Sequence, residues 1–205
     1  LVSRSGGSEK VLTTRDDMLL RGVHNVENVL AALAAGLACG ADPDSMRETI
    51  RTFNAVEHRL EHCGENRGIT FYNDSKATSV DATKKALEAL SEEPGKIVLI
   101  LGGLGKNAPY EPLADLIEKS VRGLVLIGDD AKNIEAQLGS YADSRHAADM
   151  EDAVRFAQSI AKTGDTVLLA PACASFDMYK SFEERGNVFK AAVRSTMKEV
   201  SDASA

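Results

Sequence analysis

The chain has 205 residues, a formal net charge of −7, 43% hydrophobic residues and 27% charged residues. That length holds one sizeable core with room for part of another, and the fractions are those of an ordinary globular protein. Acids and bases are interspersed on a negative balance, which excludes a nucleic-acid or anionic-membrane binder with a broadly basic surface but permits a local basic pocket.

The opening, Leu1 to Ser8, is polar and lacks the apolar core of a signal peptide. It reads as a fraying end or a cut point in a longer protein. No apolar run approaches the roughly 18 residues needed to span a bilayer. Cys39, Cys63 and Cys173 are odd in number, far apart and without metal-ligand spacing, so a reducing, cytoplasmic location is expected. From 24 to 39 the residues Val26, Val29, Leu30, Leu33 and Leu37 recur at helical spacing, and Gly40 ends the helix. Asp42 as N-cap, Pro43 at the first helical position and a stripe of Met46, Ile50 and Phe53 predict a second helix. Two helices without strands need a surface to cover. A domain boundary is therefore placed near Val56-Glu57.

From His58 the pattern changes. Residues 58–63 and 69–73 are β-rich around Gly64 to Gly68, a hairpin signal. Strands are then expected at 96–101, 123–127, 144–147 and 166–170, and helices at 79–91, 112–120, 131–138, 150–163 and 181–200. Continuous apolar runs such as Ile97 to Leu101 suit strands covered on both faces. The fold class is α/β: a Rossmann-like, doubly wound, mostly parallel sheet with one antiparallel hairpin strand.

Ligands bind outside the carboxyl ends of such strands, and three polar loops fall there. The first is Asn73 to Thr78, at a strand-to-helix turn where exposed N–H groups, Lys76 and two hydroxyls suit an anion. Asp74 adds a group for a ribose hydroxyl or a metal, although Asp and Ser also suit a helix cap. The second loop, Gly102 to Asn107, is glycine-rich. It is not a Walker loop, because Ile100 and Asn107 stand where Gly and Ser or Thr are required. The third, Pro171 to Asp177, offers Ser175 as a binding hydroxyl, since no base or nucleophile elbow accompanies it. Ser181 to Glu184 matches a capping box, and Phe182 at such a place is commonly core. Lys76, Lys106, Thr78 and Ser175 together would give a pocket for a small acid with more than one carboxylate. Arg59, in Glu57-His58-Arg59, supplies a planar fork for a phosphate. Asn25 and Asn28 are helix-start caps or amides able to read an adenine edge.

Leu20 to Asn28, Glu57 to Glu61, Asn73 to Thr78, Leu101 to Lys106, Ala172 to Phe176 and Ser181 to Gly186 occur in one order. Together they resemble the Mur ligases, and within them the D-glutamate-adding branch, from about Leu20 onward. The resemblance implies a three-domain enzyme that closes around ATP by hinge motion, with residues 54–58 as the candidate hinge. Residues 1–56 would be the C-terminal end of its central ATPase domain and 57–205 its C-terminal domain. The phosphate loop, the modified lysine and the principal Mg2+ ligands would lie upstream, leaving no metal ligand in this chain.

The implied activity is ATP-dependent amide ligation of D-glutamate to UDP-N-acetylmuramoyl-L-alanine through an acyl phosphate, by a monomer. ATP and Mg2+ are the implied cofactors, and neither nucleic acid nor membrane is a partner. By the same resemblance Asn25 and Asn28 match adenine contacts, Arg59 a phosphate contact and Asp74 a ribose contact. His58 and Lys76 match catalytic positions, and Lys76, Thr78, Lys106, Ser175 and Phe182 match the D-glutamate pocket. Ser79, Leu104 and Asn107 depart from the family pattern. The other readings are a relative such as a folylpolyglutamate synthase, or a non-catalytic nucleotide-binding module.

Overall fold

The computed structural model describes residues 1–5, 8–20, 22–53 and 56–202. The chain divides into two compact units, Leu1–Ala55 and Val56–Ala205. Asn54 and Ala55 of the expected hinge lie outside the described residues, as does Arg21.

The first unit corrects the reading of a frayed start. Strands β1 (Val2–Ser5) and β2 (Ser8–Val11) pair antiparallel. Helix α1 (Val23–Ala38) ends before Gly40, whose φ of 77° is the left-handed stop a glycine takes without steric cost. Helix α2 (Pro43–Thr52) starts as expected, with the Asp42 carboxylate accepting from the Ser45 N–H at 2.8 Å. Its apolar stripe does not make a core: α2 has no buried residue, and Met46, Ile50 and Phe53 line an apolar cleft of about 370 Å³.

The second unit holds a six-stranded sheet of order β3-β4-β8-β5-β6-β7, parallel except for the β3–β4 pair. Its strands are β3 (Glu61–Asn66), β4 (Ile69–Asn73), β5 (Ile97–Gly102), β6 (Val121–Ile127), β7 (Ser144–His146) and β8 (Thr166–Leu169). The helices are α3 (Val80–Leu90), α4 (Ala114–Ser120), α5 (Ala131–Leu138), α6 (Met150–Ile160) and α7 (Phe182–Asp202). Strand alternation sorts the core. Leu99, Leu101, Leu124, Leu126 and Leu168 pack on one face with α3, α4 and α5. Val98, Ile100, Val125, Val167 and Leu169 pack on the other with α6 and α7. Each fully buried aliphatic side chain contributes about 1.5–3 kcal/mol.

Three places differ most from the sequence reading, beyond shifts of one or two residues at other element ends. Residues 58–60 are not strand: His58 (φ 64°) and Leu60 (φ 40°) are left-handed, and the chain turns tightly there. The hairpin turn is two residues, Arg67 and Gly68, both at positive φ, the primed turn whose twist matches the strands. Helix α6 stops at Ile160, because Ala161 is extended and Gly164 turns the chain into β8.

Candidate functional site

Strand β8 is last in the chain but lies between β4 and β5. That insertion puts the loop after β8 between the loops after β4 and β5, all at their carboxyl ends. Backbone bonds stitch the three together. Ala172 N–H donates to Ala77 O (2.9 Å), Gly102 N–H to Pro171 O (2.9 Å), and Leu104 and Ala174 exchange two bonds of 3.0 Å. Gly103 makes the approach possible: a Cβ there would lie 2.3 Å from the Ala174 carbonyl oxygen.

Within this edge Lys106 Nζ donates to the Thr78 carbonyl oxygen (2.7 Å) and to its hydroxyl (3.3 Å). Lys76 Nζ sits 3.9 Å over the centre of the Phe182 ring, a cation–π contact. Phe182 also meets the His58 ring edge-on at 6.0 Å. Ser175 is buried in the central loop, and its carbonyl accepts from Tyr179 N–H at 2.8 Å. Lys76, Thr78, Lys106, Ser175 and Phe182 thus belong to one end of the sheet. The helix cap the sequence offered at Asp74 or Ser75 is instead Ser79, whose hydroxyl accepts from Ala82 N–H. At α7 only half of the capping box forms. Ser181 Oγ accepts from Glu184 N–H, while the Glu184 carboxylate turns to Lys180 N–H. Asn107 is left-handed (φ 57°), which Asn tolerates, and so serves the turn itself.

His58 is 3% exposed. Asn73 fixes its tautomer. The Asn73 Oδ1 accepts from Ser75 N–H (3.1 Å), so its amide hydrogens face Glu61 Oε2 (2.9 Å) and His58 Nδ1 (3.0 Å). Nδ1 therefore accepts, and the ring proton of the neutral imidazole sits on Nε2. Gly186 leaves room for the ring: a Cβ there would lie 2.2 Å from Nδ1. Glu61 also accepts from His58 N–H (3.0 Å) and Lys190 Nζ (3.0 Å). Asp74 is half-buried, and burial pushes its carboxyl up to about 6, opposed by a hydrogen bond from the Leu60 backbone and the charge of Arg59. Arg59 itself is exposed. Asn25 and Asn28 stand on α1 of the first unit, where Asn28 Nδ2 donates a hydrogen bond to Asn25 Oδ1 (3.3 Å), and the N-cap there is Gly22 rather than an Asn.

The sequence gives no individual role to the groups beneath the loops. Asn73 is one. Another is the trio in which Tyr110 Oη donates to Asp130 Oδ2 (2.5 Å) and lies 3.0 Å from Cys173 Sγ. A third is Arg185, 1% exposed. Its signal was present: it falls between Phe182 and Phe189 on the apolar stripe of α7, where a cation is out of place.

Residues 58–173 match the model of the Mur ligase, glutamate ligase domain. The chain is 47% identical over 191 residues to the UDP-N-acetylmuramoylalanine–D-glutamate ligase of Koribacter versatilis, covering 93% of this chain and 41% of that protein. It is 45% identical over 194 residues to the same-named enzyme of Geotalea daltonii, covering 95% and 42%. The chain thus spans about two fifths of the curated relatives it matches. Among solved structures it resembles Thermotoga maritima UDP-N-acetylmuramate-alanine ligase, with a TM-score of 0.64 at 19% identity, covering 87% of this chain and 40% of that one. It also resembles Mycobacterium tuberculosis folylpolyglutamate synthase, with a TM-score of 0.65 at 18% identity, covering 84% and 41%. At those identities the two structures speak for the fold alone.

Proposed function

The chain belongs to the Mur ligase family, and from that premise we propose that it is the amino-acid-binding and ATP-closing part of a UDP-N-acetylmuramoyl-L-alanine–D-glutamate ligase. Residues 1–56 are then the end of the central ATPase domain and 57–205 the C-terminal domain. The reading places the enzyme in peptidoglycan synthesis, in the cytoplasm, as a monomer serving cell-wall biogenesis, cell shape and division.

In this reading the carboxylate of UDP-N-acetylmuramoyl-L-alanine takes the γ-phosphoryl group of ATP to form an acyl phosphate, and ADP leaves. The free amine of D-glutamate attacks the carbonyl carbon, the C–N bond forms as the nitrogen gives up a proton, the C–O bond to phosphate breaks, and inorganic phosphate leaves. The part of this chain is mostly positioning. Lys106 and Lys76 supply charge to the two carboxylates of the amino acid, Thr78 and Ser175 supply hydroxyls, and Phe182 walls the pocket. His58 offers Nε2–H toward the reacting groups. Arg59 takes a phosphate, Asp74 a ribose hydroxyl, and Asn25 and Asn28 the adenine edge. Mg2+, when bound, neutralises charge on the transferring phosphoryl group. Among the described residues no group of three His, Cys, Asp or Glu side chains could hold a metal, and the reading assigns the principal ligands upstream.

The observation that carries the reading is the Lys106–Thr78 contact, which joins two loops that each bear an ammonium group. A pocket with two cations and two hydroxyls suits a doubly acidic guest and disfavours a basic one. The test is phosphate release by the full-length protein with ATP, UDP-N-acetylmuramoyl-L-alanine and a panel of D- and L-amino acids. D-glutamate should stimulate release. Stimulation by L-glutamate or a diamino acid in its place overturns the reading.

A further inference from the structure

Arg185 lies on α7, one turn after Phe182, and is almost completely buried. Its guanidinium reaches two loops at once. Nε donates to Ser75 Oγ (3.0 Å) and Nη2 to the Ser75 carbonyl oxygen (2.9 Å). Nη1 donates to the carbonyl oxygens of Cys173 (3.1 Å) and Ala174 (3.2 Å). The Ser75 hydroxyl, having accepted from Arg185, donates to the Phe182 carbonyl oxygen (2.8 Å) and so returns the network to the first turn of α7. The third loop is held close as well, since a Cβ on Gly103 would lie 3.2 Å from Nη1.

The acceptors are all neutral, and among the described residues Arg185 makes no ion pair. The Asp177 carboxylate favours the charged guanidinium without a direct contact, and a buried cation with no direct ion pair is costly, so a stability role alone is better met by an apolar side chain. What the fork uniquely supplies is spacing. Its planar donors fix where Ser75 stands relative to Cys173 and Ala174. Ser75 immediately precedes Lys76, and Ala174 immediately precedes Ser175. The guanidinium thus sets the separation between the two sides of the edge that bears Lys76 and Thr78 on one loop and Ser175 on the other.

We propose that Arg185 is a positioning residue for the amino-acid pocket, holding the Lys76–Thr78 loop and the Ser175 loop at the spacing a doubly acidic amino acid requires. This rests on the reading of that edge as the amino-acid site. Burial lowers the guanidinium only to about 10, so the charge persists at neutral pH and adds to the field of the two lysines. Lysine is no substitute, because one ammonium cannot bridge the four acceptors.

The test uses the full-length protein with Arg185→Lys and Ser75→Ala, measuring KM for D-glutamate and for ATP alongside thermal melting, with Lys106→Ala as reference. Arg185→Lys should raise the D-glutamate KM about tenfold or more and leave the ATP KM within about twofold. Ser75→Ala, which keeps the guanidinium and removes the bridging hydroxyl, should shift the same ratio in the same direction. A purely structural role would lower the melting temperature without splitting the two constants. If Lys106→Ala raises the D-glutamate KM while both other variants leave it unchanged, or move both constants equally, the positioning role is overturned and the pocket reading stands. If Lys106→Ala leaves it unchanged, the pocket reading fails and this proposal with it. Should Arg185→Lys not fold, Ser75→Ala decides by the same ratio.

Discussion

Lys106 Nζ donates to the Thr78 carbonyl oxygen across a sequence separation of 28 residues, closing the gap between the loops after β4 and β5. The acceptor is neutral and the ammonium exposed. An incoming carboxylate offers a charge-assisted bond in its place, which is roughly twice as strong as a neutral one.

Lys106→Ala in the full-length protein should therefore raise the KM for the acidic amino acid by about 10–100-fold, the loss of one hydrogen bond to a charged group. The KM for ATP should change far less. Steady-state kinetics with each substrate varied in turn checks this, and equal shifts in both constants would contradict the pocket assignment.

Arg59 is exposed beside the half-buried Asp74, whose carboxyl feels its charge. Arg59→Ala should mainly weaken nucleotide use, by about 2–5 kcal/mol if the phosphate contact is desolvated on closure. Titration of the full-length protein with a non-hydrolysable ATP analogue reads the effect directly. An unaltered nucleotide affinity removes Arg59 from the site.

Burial raises the Asp74 carboxyl from 3.8 to about 6. Between those values the folded chain keeps a proton that the unfolded chain has lost, so stability falls as pH rises through the window. The contribution is present below pH 3.8 and is lost by pH 6, amounting to about 2–3 kcal/mol at most. Asp74→Asn removes the titration, so the variant should gain stability relative to the parent as pH increases from 4 to 7. Paired thermal melts across that range measure the difference, and parallel curves would show that Asp74 is not desolvated.

The three cysteines should separate by reactivity. Cys39 is exposed, whereas burial pushes the Cys63 thiol up to about 12 and the Cys173 thiol up to about 11. Since the thiolate is the nucleophile, brief alkylation at neutral pH should label Cys39 first and leave Cys173 intact until denaturation. Peptide mass spectrometry reads the order. Early labelling of Cys173 would mean that the loop after β8 opens in solution.

Much of the fold was legible because its strands announce themselves. Ile97 to Leu101 is apolar without a break, and a strand covered on both faces needs that. Helix α5 begins and ends where its pattern does, and Asp42 caps α2 as its side chain suggests. That Lys76, Thr78, Lys106 and Ser175 fall in loops at one end of the sheet was legible too, because each loop directly follows a predicted strand. Less legible were residues 58–60, where β-rich composition hid two left-handed residues, and the leading Leu1 to Val11, where a polar stretch forms a ribbon. Local propensity is a weak prior in both places, since the turn at 58–60 is held by Asn73 and Lys76 and the ribbon by pairing between its own two strands.

The sequence by itself determined most strands and helices after residue 60 and both helices of the first unit, which loops carry charge, and which family the chain belongs to. Only the tertiary structure decided that β8 enters between β4 and β5, that Asn73 sets the histidine tautomer, and that Arg185 ties the loops together. Periodicity reports that a residue is buried, because water is excluded from one face of an element. It carries no record of what the residue is buried against, because strand order and side-chain partners follow from packing between segments far apart in the chain.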